Sequence, residues 1–260
     1  MPVTVVFFAL LGLSVGSFLN LCIDRLPAGK SIVSPSSHCD NCGQSLKAAD
    51  LVPLFSYVWL KGSCRYCHAR LPIRLPIVEI VAAITFTLLV LRYGLSFHLA
   101  TLAIYAVLFL LIFFIDLEQK LILNKVVLAG AALAIVFSFF DPAFEQFWPR
   151  IGPGFTLSAL LGGVSGFTIL LLPYLISRGG MGAGDVKLAG LIGLVCGFPL
   201  VFVALLVGII AGGLAALFML VSQLAKRKDA IPFGPFLALG AMITLIWGDQ
   251  IFQWWWTLGI

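Results

Sequence analysis

Long apolar runs separated by short polar loops dominate this chain, and most approach the ~20 residues that an α-helix needs to cross a bilayer. The pattern predicts helices over 2–22, 75–91, 97–115, 126–140, 155–176, 188–198, 200–223 and 231–247. Gly197, Phe198 and Pro199 alone mark the break between the sixth and seventh, so that hairpin must be tight. Its first arm is short for a full span and is expected to begin deep or run tilted. In lipid, backbone polar groups must be satisfied within the segment, which selects helices. The expected fold class is therefore all-α, a polytopic membrane protein of about eight transmembrane helices. One long polar stretch, 23–74, interrupts the pattern and is the only candidate soluble part. The expected division is a first transmembrane helix at 1–22, a small loop domain at 23–74 and a transmembrane domain at 75–260. The N-terminal run has no Lys or Arg before it and no clear small-residue cleavage site, so it reads as a retained helix and not as a secretory signal.

Composition sharpens this picture. Hydrophobic residues make up 61% of the chain and charged ones 10%, where a soluble domain carries about 25% charged residues. The net charge of +5 lies in the short loops. With the N-terminus outside, the loops 23–74, 116–125, 177–187 and 224–230 face the cytoplasm. They hold all of the 16 Lys and Arg except Arg92 and Arg150. This asymmetry follows the positive-inside rule. The segment 141–154 is then an external loop, and Trp254–Trp256 suit an aromatic anchor at the outer interface. No basic stripe with interleaved aromatics occurs, so the expected partner is the lipid bilayer and not nucleic acid.

The polar loop carries two C-x2-C pairs, Cys39/Cys42 and Cys64/Cys67, with 21 residues between them. Each pair can place two thiolates on one tetrahedral ion, and Gly43 suits the sharp turn of such a knuckle. The spacing is close to that of four-cysteine zinc sites. A reducing cytoplasm disfavours two disulfides; free or redox thiols are the alternative. Four cysteines would fill every ligand position, so the zinc is expected to be structural. His38 and His68 then read as solvated neighbours. Cys22 and Cys196, in apolar helices, read as plain buried residues.

Acidic residues beside a membrane span are exposed, paired or used. Asp116 follows the run LATLAIYAVLFLLIFFI, and Asp185 closes Gly182-Ala183-Gly184-Asp185. The topology puts both at cytoplasmic helix ends, at comparable depth. Two carboxylates brought close share a proton. One can then act as base on a water while the other, protonated, hydrogen-bonds a scissile carbonyl. Gly182 and Gly184 would let a substrate backbone approach. Lys187 either tunes a nearby carboxylate or anchors its helix at the headgroups. The glycine pattern is no dinucleotide fingerprint, because no strand precedes it.

Taken together, these residues resemble the bacterial type IV prepilin peptidases, membrane aspartic peptidases of the GxGD type. Gly16-Ser17-Phe18-Leu19-Asn20 followed by Asp24-Arg25-Leu26-Pro27 is similar to the family's N-terminal signature, and the two C-x2-C pairs to its zinc loop. Gly182-Ala183-Gly184-Asp185-Val186-Lys187-Leu188 resembles its GxGDxKL motif, and Pro232-Phe233-Gly234-Pro235 its C-terminal PFGP segment. The stretch from Asp116 to Asn124 resembles its D-x6-P-[DN] motif, with Leu123 in place of the proline, which is expected to loosen the turn after Asp116. The resemblance implies Asp116 and Asp185 as the catalytic pair, supported by Gly182, Gly184, Lys187 and Asn124. It implies cleavage of type 4 prepilins and type II secretion pseudopilins after a glycine, at the cytoplasmic face of the bacterial inner membrane. Relatives with a four-cysteine loop also methylate the new N-terminal amine from S-adenosylmethionine. Glu79 resembles a position linked to that step; as a plain residue it reads as a helix-terminal acid at the interface.

Three other readings compete. A proton- or cation-coupled transporter could use paired acids, but both acids lie at one face and no inverted repeat is visible. A presenilin-like intramembrane aspartic protease would share GxGD without the zinc loop. A membrane scaffold with a zinc-stabilised docking loop leaves the two Asp without a role.

Overall fold

The computed structural model describes residues 2–140, 155–176, 181–223 and 232–258. The segment expected to be an external loop, 141–154, lies outside the described residues, as do Arg178, Lys226, Arg227 and Lys228. The chain forms two compact units, Met1–Leu99 and Ala100–Ile260.

The first unit is built on α1 (Pro2–Arg25) and α3 (Arg74–Tyr93), which pack against each other. Between them run the cysteine loop and a short helix, α2 (Phe55–Trp59). The second unit is entered by α4 (Phe97–Gln119) and continues through α5 (Asn124–Ser138), α6 (Phe155–Ile176), α7 (Ala183–Cys196), α8 (Leu200–Val221) and α9 (Gly234–Leu258). Among the described residues six helices, α1, α3, α4, α6, α8 and α9, are long and apolar enough to cross a membrane. The chain is thus a multi-pass membrane protein. At 14 residues, α7 is about 21 Å long, short of the ~30 Å hydrocarbon layer. It is also the most enclosed: Leu188, Ala189, Ile192 and Val195 are fully buried, among α5, α6, α8 and α9.

Three helix limits differ from the sequence pattern by four residues or more, each because a helix outlasts its apolar run. Apolarity in α4 stops at Ile115, but Asp116–Gln119 are good enough helix formers to continue. The helix ends where Lys120 takes a left-handed φ of 53° and its amide donates to the Asp116 carbonyl at 2.9 Å. Asp116 therefore lies inside α4, in its last turn, and not in a following loop. The start of α7 falls at Ala183, five residues before its apolar run, because Gly182 and Asp185 cap it. At the other end of the chain, α9 passes Gly248 and runs on to Leu258. A single helical glycine costs about 1 kcal/mol, and Ile251 and Phe252 resume the apolar face.

Glycines set how closely these helices approach. A Cβ on Gly16 would sit 2.6 Å from the Glu79 Cα, and one on Gly12 2.7 Å from the Ala83 Cα, so α1 and α3 touch backbone to backbone. Gly162 and Gly193 face each other in the same way between α6 and α7, as do Gly240 and Ala204 between α9 and α8. In lipid, where apolar burial gives no extra drive, such close packing holds helices together. Replacing Gly193 with Leu should separate α6 from α7 and lower the unfolding temperature in detergent by several degrees or abolish folding. Gly213, with nothing within 4 Å of its Cβ position, should accept Leu with little change. Equal melting temperatures for the two variants would disprove this account.

Candidate active site and metal centre

The cysteine loop folds as two matching knuckles. In the first, the Cys39 amide donates to the Gln44 carbonyl at 3.0 Å and the Gly43 amide to the Cys39 carbonyl at 2.8 Å. In the second, the Cys64 amide donates to Ala69 at 2.9 Å and the His68 amide to Cys64 at 3.0 Å. Isolated bridges pair His38 with Ser45 and Ser63 with Arg70. The turn residue is left-handed in both, Gly43 at φ 69° and His68 at φ 57°. Sequence reading finds only the first turn, since nothing about histidine announces a left-handed backbone. Both histidines are exposed, and neither joins the cysteine cluster.

The four sulfurs of Cys39, Cys42, Cys64 and Cys67 lie within 4.8 Å of one another. Cys39 Sγ and Cys67 Sγ are 3.8 Å apart, far beyond an S–S bond of about 2.05 Å. That separation is the edge expected of a tetrahedron with metal–sulfur bonds of about 2.3 Å. The cluster can hold a metal ion. The Ala69 backbone amide and then the Asn41 side-chain amide pull the Cys67 thiol down to about 6, so it is ionised at neutral pH. Cys42 is pushed up to about 11 despite an opposing backbone hydrogen bond from Gln44, through desolvation and its sulfur neighbours. Cysteine binds a metal as thiolate, so metal binding to such a cluster is coupled to proton release. Asp50 ties the loop together, accepting from the Lys47 amide at 3.1 Å and pairing with Arg65 and Tyr66 of the second knuckle.

Glu79 is buried in α3. Its carboxylate accepts the Leu54 amide at 2.8 Å, and Ser17 of α1 also bonds to it. In the second turn of α3, it joins α1, α3 and the start of α2. Leu54 reaches it with a left-handed φ of 59°.

Asp116 and Asp185 lie in the second unit, and both are buried, at 4% and 8% exposure. The position of Asp185 is local in origin. It is the third residue of α7, and its carboxylate accepts the backbone amide of Gly182 at the N-cap. That is half of a capping box, with the helix dipole favouring the acid. Asp116 instead accepts a long-range bond, from the backbone amide of Gly234 at the start of α9. The two carboxylates are close enough to interact electrostatically. Their surroundings contain little side-chain bulk. A Cβ on Gly234 would lie 2.5 Å from Asp116 Oδ2, one on Gly182 3.2 Å from Asp185 Oδ2, and one on Gly184 3.0 Å from the Ile122 Cβ.

The supporting residues also meet. Lys187 Nζ donates to Asn124 Oδ1 at 2.9 Å, joining α7 to the first residue of α5. Leu123, the N-cap of α5, has φ −71° and ψ 117°. That φ is the value a proline ring imposes, so a proline would fit at this position without a change of backbone angle. Gly234 and Ile122 are the neighbours that sequence reading did not place at the carboxylates. The PFGP segment was a signal for the first; Ile122 had none.

Two family profiles cover most of the chain. The bacterial peptidase A24 N-terminal domain matches residues 10–93, and the type IV leader peptidase family matches residues 102–217. Among curated relatives, a prepilin leader peptidase/N-methyltransferase of Bacillus subtilis is 30% identical, over 92% of this chain and 93% of its own length. A protein of the same name from Pseudomonas putida is 31% identical, over 93% and 90%. Another from Pseudomonas aeruginosa is 30% identical, over 93% and 90%. No solved structure matches. Similarity spanning both units leaves the transporter, presenilin-like and scaffold readings without support, and the chain belongs to the type IV leader peptidase family.

Proposed function

We propose that the protein cleaves type 4 prepilins and type II secretion pseudopilins after a glycine and then methylates the new N-terminal amine. The observation that carries the first step is the buried pair Asp116 and Asp185, each bonded to a glycine amide and each packed against a glycine that has no side chain to hold it off. In this reading one carboxylate takes a proton from a water as it attacks the scissile carbonyl. The other, protonated, donates to the carbonyl oxygen and later passes a proton to the leaving amine. Gly182 and Gly234 carry no side chain that would hold the two carboxylates off their backbones, and Gly184 lets α7 pack against Ile122. Lys187 and Asn124 act as positioning residues that fix α7 against α5.

Asp116→Asn and Asp185→Asn should each lower prepilin cleavage by about 10²-fold or more. The double variant should fall no further than the worse single one, because the pair works as a unit. Methylation of a substrate supplied already cleaved should continue in both. Mass spectrometry of the products reads all three outcomes, and cleavage retained in Asp185→Asn would refute the assignment.

The four-cysteine cluster fits Zn²⁺, whose thiolate sites are tetrahedral. With Cys39, Cys42, Cys64 and Cys67 all bound, no position is left for water, so the ion acts on folding. One Zn per chain is the expected elemental ratio. Cys64→Ser should loosen the loop and lower stability while Asp116 and Asp185 keep their chemistry. Reduced protein that contains no zinc yet protects its thiols from alkylation would contradict this.

S-adenosylmethionine supplies an electrophilic methyl group when bound. The chain's part in that step is to hold the donor and the amine together. The loop, the metal and the carboxylate pair are placed at the cytoplasmic face of the bacterial inner membrane, following the segregation of Lys and Arg. A cysteine introduced at Lys47 should react with a membrane-impermeant thiol reagent only in opened cells. Labelling in intact cells would reverse the topology.

A further inference from the structure

The first unit holds a cavity of about 380 Å³ between α1 and the segment before α2. That is within the range of small-ligand sites. Its walls combine apolar side chains, Leu21, Ile32, Val33 and Leu51 among them, with polar ones. Ser14, Ser17, Ser36 and Ser37 present hydroxyls, Phe18 an aromatic face and Arg25 a cation.

Arg25 is 8% exposed, and its guanidinium donates to the carbonyls of Ser31 and Ser36, at 3.0 and 3.4 Å. No carboxylate pairs with it among the described residues. Its sequence neighbour Asp24 is taken by Arg74, at 2.8 Å. A buried charge without a counter-ion is unfavourable by several kcal/mol, so the cavity has one end prepared for an anion. The other end backs onto an acid that does not itself line the cavity. Ser17 lines the cavity and bonds to the buried carboxylate of Glu79. Ser17 and Arg25 are eight residues apart on α1, about 12 Å along its axis.

We propose that this cavity binds the methyl donor, with Arg25 pairing with its carboxylate and the Ser17–Glu79 end facing its sulfonium. The four serines suit ribose hydroxyls, and Phe18 suits the adenine ring. The proposal rests on the N-methyltransferase reading above. A phospholipid could also offer an anion to Arg25 and tails to Leu21, Ile32 and Val33, but it would leave the four serine hydroxyls unused.

The test measures binding of radiolabelled S-adenosylmethionine to the metal-loaded full chain in detergent, by equilibrium dialysis. Arg25→Gln should weaken binding about 30-fold or more, as expected for loss of a buried charge partner. Ser14→Trp fills the cavity from α1 and leaves the Arg25 contacts intact, and it should weaken binding at least as much. Metal content and elution volume report folding of both variants. Wild-type affinity in Ser14→Trp overturns the proposal even if Arg25→Gln misfolds. If the wild type methylates a pre-cleaved prepilin while both variants bind the donor normally, the site lies elsewhere and the methyltransferase reading stands. If the wild type neither binds donor nor methylates, that reading falls and the proposal with it. Native mass spectrometry supplies the last arm. A co-purifying anionic phospholipid lost from both variants, with donor binding unchanged, would assign the cavity to lipid and overturn the proposal.

Discussion

A carboxylate inside a bundle of apolar helices needs a polar partner, and side-chain partners are scarce in such a place. Here the partner is the backbone. Asp185 uses the free amide at the start of its own helix, and Asp116 uses the free amide at the start of α9. The first amides of a helix have no partner within it, so helix N-termini are the natural donors. Both donors belong to glycine, whose missing side chain is what lets each carboxylate come near. The positions of α4, α7 and α9 follow from satisfying these two acids. The tight glycine contacts along α6, α7, α8 and α9 hold that arrangement in a medium where burial alone would not.

Much of this was legible in the sequence because membrane helices write themselves as apolar runs. All eight expected helices are present, as α1 and α3 to α9. What the pattern could not show is where a helix continues after its apolarity stops. Asp116 and Asp185 sit in those extensions, one at a C-terminal end and one at an N-terminal start. Hydropathy therefore assigned them to loops, whereas capping chemistry puts them inside helices. The Lys187–Asn124 bond and the Gly234 amide are long-range meetings, set by packing. The motifs named these residues, but geometry alone tells which carboxylate each one serves.

Leu123 shows the limit of motif reading in another way. The family pattern has proline there, and its loss suggests a looser turn. Yet the backbone angle is the one proline would enforce. Packing of Ile122 against Gly184 and Gly234 supports the same conformation from outside the chain segment. A substitution read from sequence as a weakness thus sits on a backbone angle that proline itself would adopt.

The two knuckles have a consequence for the chain as a polymer. Each is a hairpin that offers two sulfurs, and neither can complete a tetrahedron without the other. An ion gripped by all four joins Cys39 to Cys64 across a long intervening segment and converts an open linker into a closed ring. Closing such a ring removes configurational freedom from the unfolded chain, by an amount that grows only slowly with its length. The segment from Gly43 to Ser63, with Asp50 and α2 inside it, can therefore lengthen or shorten at little thermodynamic expense, while the clasp at its ends cannot be altered at all.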